Sequence, residues 1–345
     1  MPFVSIVIPV LNGEKYIGNC LDSLNKINYP KNRYEIIVID GGSDDKTVEI
    51  IKKFDDVKLI NSTRGTPHQR NVGIKEAKGE LIAFTDADCI VDRDWLINGV
   101  KHFKDNQIAL VGGPNCTPEN SKFLEKSAGY LLSSRLATGP MSTRYAGKGV
   151  KEAVETDLIA CNNIMRKDII LEVDGFNEDF FPAEENELYF RLKEKGYKLL
   201  FNSEMVVWHH RVPLYRPFAK QIYRYGQFRA KLLKTAPKIF RFLFLLPSLL
   251  ILYLLFGGIL ASLILAEIVS FSKPTLFSNS TLSIDSILLY FYFSSIIFYY
   301  LIISIESLRI SIKEKNAKLI FVLPLGFFLL HCSYGLGFLK GILKS

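Results

Sequence analysis

Three stretches in the last hundred residues are almost wholly apolar, at about residues 243–265, 284–305 and 319–339. Each is long enough to cross a hydrocarbon layer, which takes about 20 apolar residues. Lipid offers no water to backbone N–H and C=O groups, so such segments cross as helices. The alternative, buried core helices of a soluble protein, fits poorly with three long runs joined by short polar loops. Gly257-Gly258 near the middle of the first run leaves two or four spans open, and Gly335 and Gly337 in the third permit close helix packing. Basic residues set the expected orientation. Arg216, Lys220, Arg224, Arg229, Lys231, Lys234, Lys238 and Arg241 precede the first run, and Arg309, Lys313, Lys315 and Lys318 lie between the second and third. The 272–283 loop has only Lys273. Positive charge stays inside, so the N-terminal part is expected on the cytoplasmic face of the cell membrane or an internal membrane. A sequon, Asn279-Ser280-Thr281, falls on the outer loop.

Residues 1 to about 235 read differently. Short β-branched runs (Val4–Pro9, Tyr34–Ile39, Val57–Ile60, Leu81–Phe84, Ala109–Gly112) alternate with helical patterns over Lys15–Asn25, Thr47–Phe54, Pro67–Ala77 and Trp95–Phe103. That alternation predicts an α/β domain of parallel strands with right-handed crossovers, with ligands at the carboxyl ends of the strands. Asn12, Asp40 and Asp88 each follow the end of a different strand. A strand running on to Asp86 is expected to leave Asp86 and Asp88 pointing the same way. Two carboxylates that close call for a cation between them, and a hard divalent ion takes phosphate oxygens as its other ligands. An acidic residue at the position of Asp40 suits ribose hydroxyls or a base N–H.

Other chemistries are excluded by what the chain lacks. Gly41-Gly42-Ser43-Asp44-Asp45-Lys46-Thr47 has no Walker spacing, and no GxGxxG occurs. The five cysteines (Cys20, Cys89, Cys116, Cys161, Cys332) show no CxxC spacing, which suggests neither a zinc cluster nor a disulfide framework and points to a reducing compartment. No basic segment followed by an apolar stretch opens the chain, so no cleavable signal is expected. Basic aromatic segments also suit nucleic acid, but their place beside apolar spans favours lipid, and no nucleic-acid partner is expected.

In order along the chain come Pro9-Val10-Leu11-Asn12-Gly13-Glu14, Asp40-Gly41-Gly42-Ser43-Asp44-Asp45-Lys46-Thr47, Arg70-Asn71-Val72-Gly73, Asp86-Ala87-Asp88, Gly175-Phe176-Asn177-Glu178 and Glu187-Leu188-Tyr189-Phe190-Arg191-Leu192. Together these resemble the family 2 glycosyltransferases over residues 3 to about 200. The resemblance implies a GT-A (Rossmann-like) catalytic domain over 1–212, a basic aromatic region over 213–239 and an all-α transmembrane region over 240–345. It implies a nucleotide-sugar donor, a UDP- or GDP-sugar, contacted by Pro9, Asn12, Glu14 and Asp40, with Arg70 over the nucleotide or its diphosphate. Asp88 would ligate Mn²⁺ or Mg²⁺, with Asp86 nearer the ribose. The family's base is an Asp in a Glu-Asp pair before the ELxxRL helix; here Glu184-Glu185 stands there, so Glu185 is the expected base and Glu184 the second candidate.

His209 or His210 would complete the metal site or meet the diphosphate, as would Arg211, and Asn162 is expected to line the acceptor side. The QxxRW motif of processive synthases is absent, since Tyr225 ends Gln221-Ile222-Tyr223-Arg224-Tyr225. Tyr215–Leu233 and Phe123–Leu136 are each expected either to lie on anionic headgroups or to pack on the catalytic domain. The reading is an inverting, membrane-bound transferase acting on a lipid-linked acceptor, in polysaccharide or lipid-linked oligosaccharide assembly. Its rivals are a polyprenyl-phosphate sugar synthase and a non-catalytic membrane scaffold.

Overall fold

The computed structural model describes residues 1–181, 183–235, 237–270 and 284–344. The sequon and the loop carrying Lys273 lie outside the described residues. The chain divides into two compact units, Met1–Val212 and Pro213–Ser345.

In the first unit the strands are β1 (Val4–Val10), β2 (Tyr34–Asp40), β3 (Val57–Asn61), β4 (Leu81–Phe84), β5 (Cys89–Val91), β6 (Ile108–Gly112), β7 (Asn115–Cys116), β8 (Val150–Glu152), β9 (Asn163–Arg166), β10 (Lys198–Asn202) and β11 (Val207–His209). Eight form one sheet in the order β3-β2-β1-β4-β9-β6-β10-β8. The parallel core is as expected: β1 pairs in parallel with β2 and β4, and β2 with β3. The other half departs from an all-parallel sheet. β9 runs antiparallel between β4 and β6, and β8 runs antiparallel to β10. β9 enters after a fifty-residue excursion that brings the chain back from the opposite end, and its Ile164 and Met165 are fully buried. The apolar faces of the sheet are covered by helices α1 (Ile17–Leu24), α2 (Thr47–Ile51), α3 (Thr66–Glu76), α4 (Trp95–Val100), α8 (Lys167–Glu172) and α9 (Glu184–Glu194). Two cores result, around Ile6, Leu21 and Trp95 on one face and around Phe84, Phe176 and Tyr189 on the other.

A second sheet, β5-β11-β7, was not foreseen. The stretch that begins with β10 breaks at a turn after Asn202, so its end joins β5 antiparallel and β7 in parallel. This small sheet holds His209 opposite Cys89, next to Asp88. Between β7 and β8 along the chain come α5 (Phe123–Ser133) and the single-turn helices α6 (Arg135–Thr138) and α7 (Thr143–Ala146). Of the two expectations for α5, packing within the catalytic unit is the one observed: Ala128 and Leu131 are buried, and a Cβ on Gly129 would stand 2.0 Å from the Thr117 hydroxyl.

The second unit contains α10 (Arg216–Thr235), α11 (Leu246–Ser270), α12 (Ile284–Lys313) and α13 (Leu319–Lys344). Among the described residues three helices are long and apolar enough to cross a membrane, Phe242–Glu267, Ile284–Lys313 and Leu319–Leu343. Their exposed residues include large apolar ones such as Phe256, Phe291 and Phe321, which suit a lipid-facing surface. Small residues let the backbones meet. A Cβ on Gly335 would stand 2.3 Å from the Pro247 carbonyl of α11, and one on Gly337 would stand 2.0 Å from the Tyr223 carbonyl of α10. Gly226 and Gly341 continue that seam. Helix α10, expected to rest on headgroups or on the catalytic domain, is thus packed along α13.

Candidate active site

The carboxyl edge of β1, β2 and β4 carries the candidate residues. The β1–α1 and β2–α2 loops are cross-linked by side chains. Asn12, at φ 53°, donates its N–H to the Ser43 hydroxyl (2.8 Å) and accepts the Asp44 N–H on its Oδ1 (3.0 Å). Asparagine tolerates this left-handed conformation better than most residues. Glu14 accepts the Lys46 N–H (3.1 Å) and donates its own to Asp45, while Gly13 N–H reaches the Thr47 hydroxyl (2.8 Å). Asp40 is buried, and its carboxylate accepts from Gly42 N–H, Ser43 N–H and the Ser43 hydroxyl. Its oxygens therefore shape the loop in this structure. Pro9 is buried within β1. Gln69, which no motif signals, donates to the carbonyls of Val10 (2.8 Å) and Ile39 (2.7 Å) and pins the two strand ends together.

Strand β4 stops at Phe84, two residues short of Asp86, so the two aspartates stand on a turn. There they meet different partners. Arg70, expected over the nucleotide, is instead buried beneath the site: its Nη2 donates to Asp86 (3.0 Å) and its Nη1 to Glu184 (2.6 Å), with Phe176 stacked at 5.4 Å. The physical reason is charge. A guanidinium only 3% exposed must be paired, and two carboxylates pair it, one from the turn after β4 and one from the start of α9. Glu184 is correspondingly fixed. Burial first, and then the charge of Glu185, push its carboxyl up to about 7 against the pull of Arg70. Glu185 is less tightly held, with Arg144 Nη1 at 3.8 Å and its side chain 13% exposed. Of the two acidic candidates, Glu185 is the more exposed, whereas Glu184 is tied to Arg70 through Oε1 and keeps its Oε2 buried without a hydrogen-bond partner.

Asp88 Oδ2 lies 3.0 Å from His209 Nε2. Burial opposes its ionisation, but the charge and hydrogen bond of His209 hold the carboxyl below its ordinary range. His209 is raised well above the usual imidazole range, since the Asp88 pair outweighs the effect of burial. His210 turns away. It stacks on Tyr16 at 4.6 Å between centroids, and its Nε2 is buried without a hydrogen-bond partner. Arg211 does not reach the Asp86–Asp88 turn. It donates to the Asn115 carbonyl and the Thr117 hydroxyl and stacks on Tyr145 at 5.1 Å.

Asn162, expected on the acceptor side, is fully buried, donating to the carbonyls of Pro114 and Met205 (2.8 Å each) and accepting Trp95 Nε1–H (2.8 Å). These bonds fasten the small sheet to the large one.

The carboxylate–imidazole pair suits a divalent cation. Ligands at right angles, each about 2.1 Å from a hard cation, stand about 3.0 Å apart, which is the Asp88–His209 separation.

The glycosyl transferase family 2 model matches residues 5–174. A dolichyl N-acetyl-α-D-glucosaminyl phosphate 3-β-D-2,3-diacetamido-2,3-dideoxy-β-D-glucuronosyltransferase of Methanococcus voltae is 28% identical over 356 residues, covering 100% of this chain and 98% of its own. Glycosyltransferase AglE of Haloferax volcanii is 28% identical over 235 residues, 66% of this chain and 73% of its own. A solved mannosyltransferase of Pyrobaculum calidifontis, in complex with GDP-Man and Mn²⁺, superposes with a TM-score of 0.54 at 22% identity, over 69% of this chain and 64% of that one, and shares the fold. With its mixed sheet and its acidic turn after β4, the part of the chain over residues 5–174 belongs to glycosyl transferase family 2, in a unit with a GT-A fold that is followed by helices long enough to span a membrane.

Proposed function

We propose that this enzyme transfers one sugar from a nucleotide-sugar to a sugar hydroxyl of a lipid-linked acceptor at the cytoplasmic leaflet, with inversion at the anomeric carbon. The observation that carries the reading is the Asp86–Arg70–Glu184 bridge, which ties the acidic turn to the helix bearing Glu185. The full-length likeness to a transferase whose name specifies a dolichyl phosphate-linked substrate supports a lipid-borne acceptor. Three apolar helices and the basic residues around them support a multi-pass protein with its catalytic unit inside the cell.

The cross-linked loops around Asn12, Glu14 and Asp40 form the floor of the nucleotide pocket at the end of β1, with Pro9 beneath. Asp88 and His209 hold Mn²⁺ or Mg²⁺, which when bound neutralises charge on the departing nucleoside diphosphate. Arg70 keeps Asp86 and Glu184 at fixed positions and offsets their repulsion. Glu185 accepts the proton of the attacking hydroxyl.

The rival synthase reading differs in its acceptor, a lipid phosphate that is already ionised and needs no base. Purified protein given labelled UDP- and GDP-sugars separates the readings. Label carried by a polyprenyl-phospho-sugar supports the proposal, and label carried only by bare polyprenyl phosphate replaces it with the rival. Donor binding without turnover on either lipid points to the scaffold.

A further inference from the structure

Beneath the Asp86–Asp88 turn lies a set of thiols that the transfer reaction does not use. Cys20 Sγ faces the Asp86 carbonyl at 3.6 Å, Cys89 follows Asp88 directly, and Cys161 Sγ lies 4.0 Å from His209 Nδ1. All three thiols are buried and free. The ligand atoms of Cys89, Cys161 and His209 fall within 4.8 Å of one another. We propose that Cys89, Cys161 and His209 Nδ1 form a site for a thiophilic divalent cation such as Zn²⁺ or Cd²⁺, distinct from the hard-cation position at Asp88.

The geometry and the surroundings both favour it. In a tetrahedral zinc site with bonds of about 2.3 Å to sulfur and 2.05 Å to nitrogen, sulfur and nitrogen stand about 3.6 Å apart. The Cys161–His209 pair is within half an ångström of that. Water takes the fourth position, as in zinc sites with three protein ligands. The outer contacts are those a metal-bound pair needs. His209 turns its other nitrogen to a carboxylate, Asp88 Oδ2 at 3.0 Å, the arrangement that orients and strengthens a ligating imidazole. Asn115 Nδ2 lies 3.2 Å from Cys161 Sγ, where its N–H supports a thiolate. The amide's second contact, 3.1 Å to His209 Nδ1, and that of Arg211 Nη1 at 3.4 Å from the same nitrogen are the ones the cation displaces.

Loading this site has a consequence for the first one. A cation on Nδ1 fixes the imidazole proton on Nε2, which then donates to Asp88 and is no longer available to Mn²⁺ or Mg²⁺. Thiophilic ions therefore act as inhibitors that excess Mn²⁺ relieves poorly. That consequence rests on the proposed role of His209; the binding itself does not.

The test is Cd²⁺ titration of the reduced, metal-stripped full chain in detergent, read by the ultraviolet charge-transfer band of thiolate–cadmium bonds. The expected result is one equivalent bound with a strong band, lost in Cys89→Ser and Cys161→Ser and kept in Cys116→Ser and Cys332→Ser. A missing band, or one that survives the Cys89→Ser/Cys161→Ser double variant, overturns the proposal. Should the serine variants fail to fold, X-ray absorption on the zinc-loaded wild type decides. Two sulfur neighbours near about 2.3 Å are expected, and a shell of nitrogen and oxygen alone overturns the site. Loss of turnover on Cd²⁺ binding is read separately. If Cd²⁺ binds without inhibiting, the soft site stands and His209 is not the catalytic ligand.

Discussion

At the scale of single residues, the candidate site divides into groups that hold and groups that act. Arg70 holds. Arg70→Met leaves Glu184 and Asp86 facing one another without their cation, and breaking a buried pair costs about 3–5 kcal/mol. We expect the variant to lose stability by that order in denaturant unfolding of the catalytic unit, alongside its activity. Glu184 carries a pH signature. Its folded pKa is raised from 4.5 to about 7, so the folded state binds the proton more tightly than the unfolded chain does. Stability from this group is complete below about pH 4.5 and is lost as pH rises to about 7. Glu184→Gln should flatten that decline in a melting-temperature series from pH 5 to 8; an unchanged slope would assign the effect elsewhere. The groups that act are separable by substrate. Asp88→Ala should lower kcat by at least a hundredfold with loss of metal-dependent donor binding. Glu185→Gln should lower kcat comparably while donor binding, followed by thermal shift, stays intact.

Much of this scale was open to sequence reading, and the failures share a cause. Asp86, Asp88 and Glu185 stand beside short, recognisable patterns in an ordered series. Arg70 is marked by its motif, but its pairing with Glu184 is not, because that partner lies 114 positions away and no local pattern reports it. Asn162 looked functional for the same reason: its three hydrogen bonds go to Trp95 and to two backbone carbonyls. Gln69 left no signal, since its partners are carbonyl oxygens that every residue possesses.

At the scale of elements, local patterns located β1 to β4 and their helices, but not the direction of β9 or the splitting of the stretch after Lys198. Both depend on where the chain returns after the 113–162 excursion, and hydrophobic periodicity says nothing of that. The helices of the second unit were legible because length and composition alone define them. Their packing was legible only in part, through Gly335 and Gly337. The seam between α10 and α13 is where an element-scale prediction belongs. Gly337→Leu puts a branched side chain where a Cβ already stands 2.0 Å from the Tyr223 carbonyl, so α10 must move off α13. The expected outcome is a lower melting temperature in detergent and faster proteolysis within Arg216–Thr235, while Leu336→Ala on an exposed position changes neither.

For the whole molecule, the proposed function divides the work of one reaction between the two units: the GT-A unit would bind the water-soluble donor at its sheet edge, and an apolar helical unit suits a protein whose second substrate never leaves the bilayer. The measurement that tests this directly is transfer of labelled sugar, from a panel of UDP- and GDP-sugars, into an organic-extractable polyprenyl-phospho-sugar by the full-length protein in detergent or liposomes. The account predicts label in the lipid fraction from one donor, dependent on a divalent cation and absent with Glu185→Gln. Folded protein that binds a donor yet moves label only to water or to soluble sugars, with none in the lipid fraction, would contradict it.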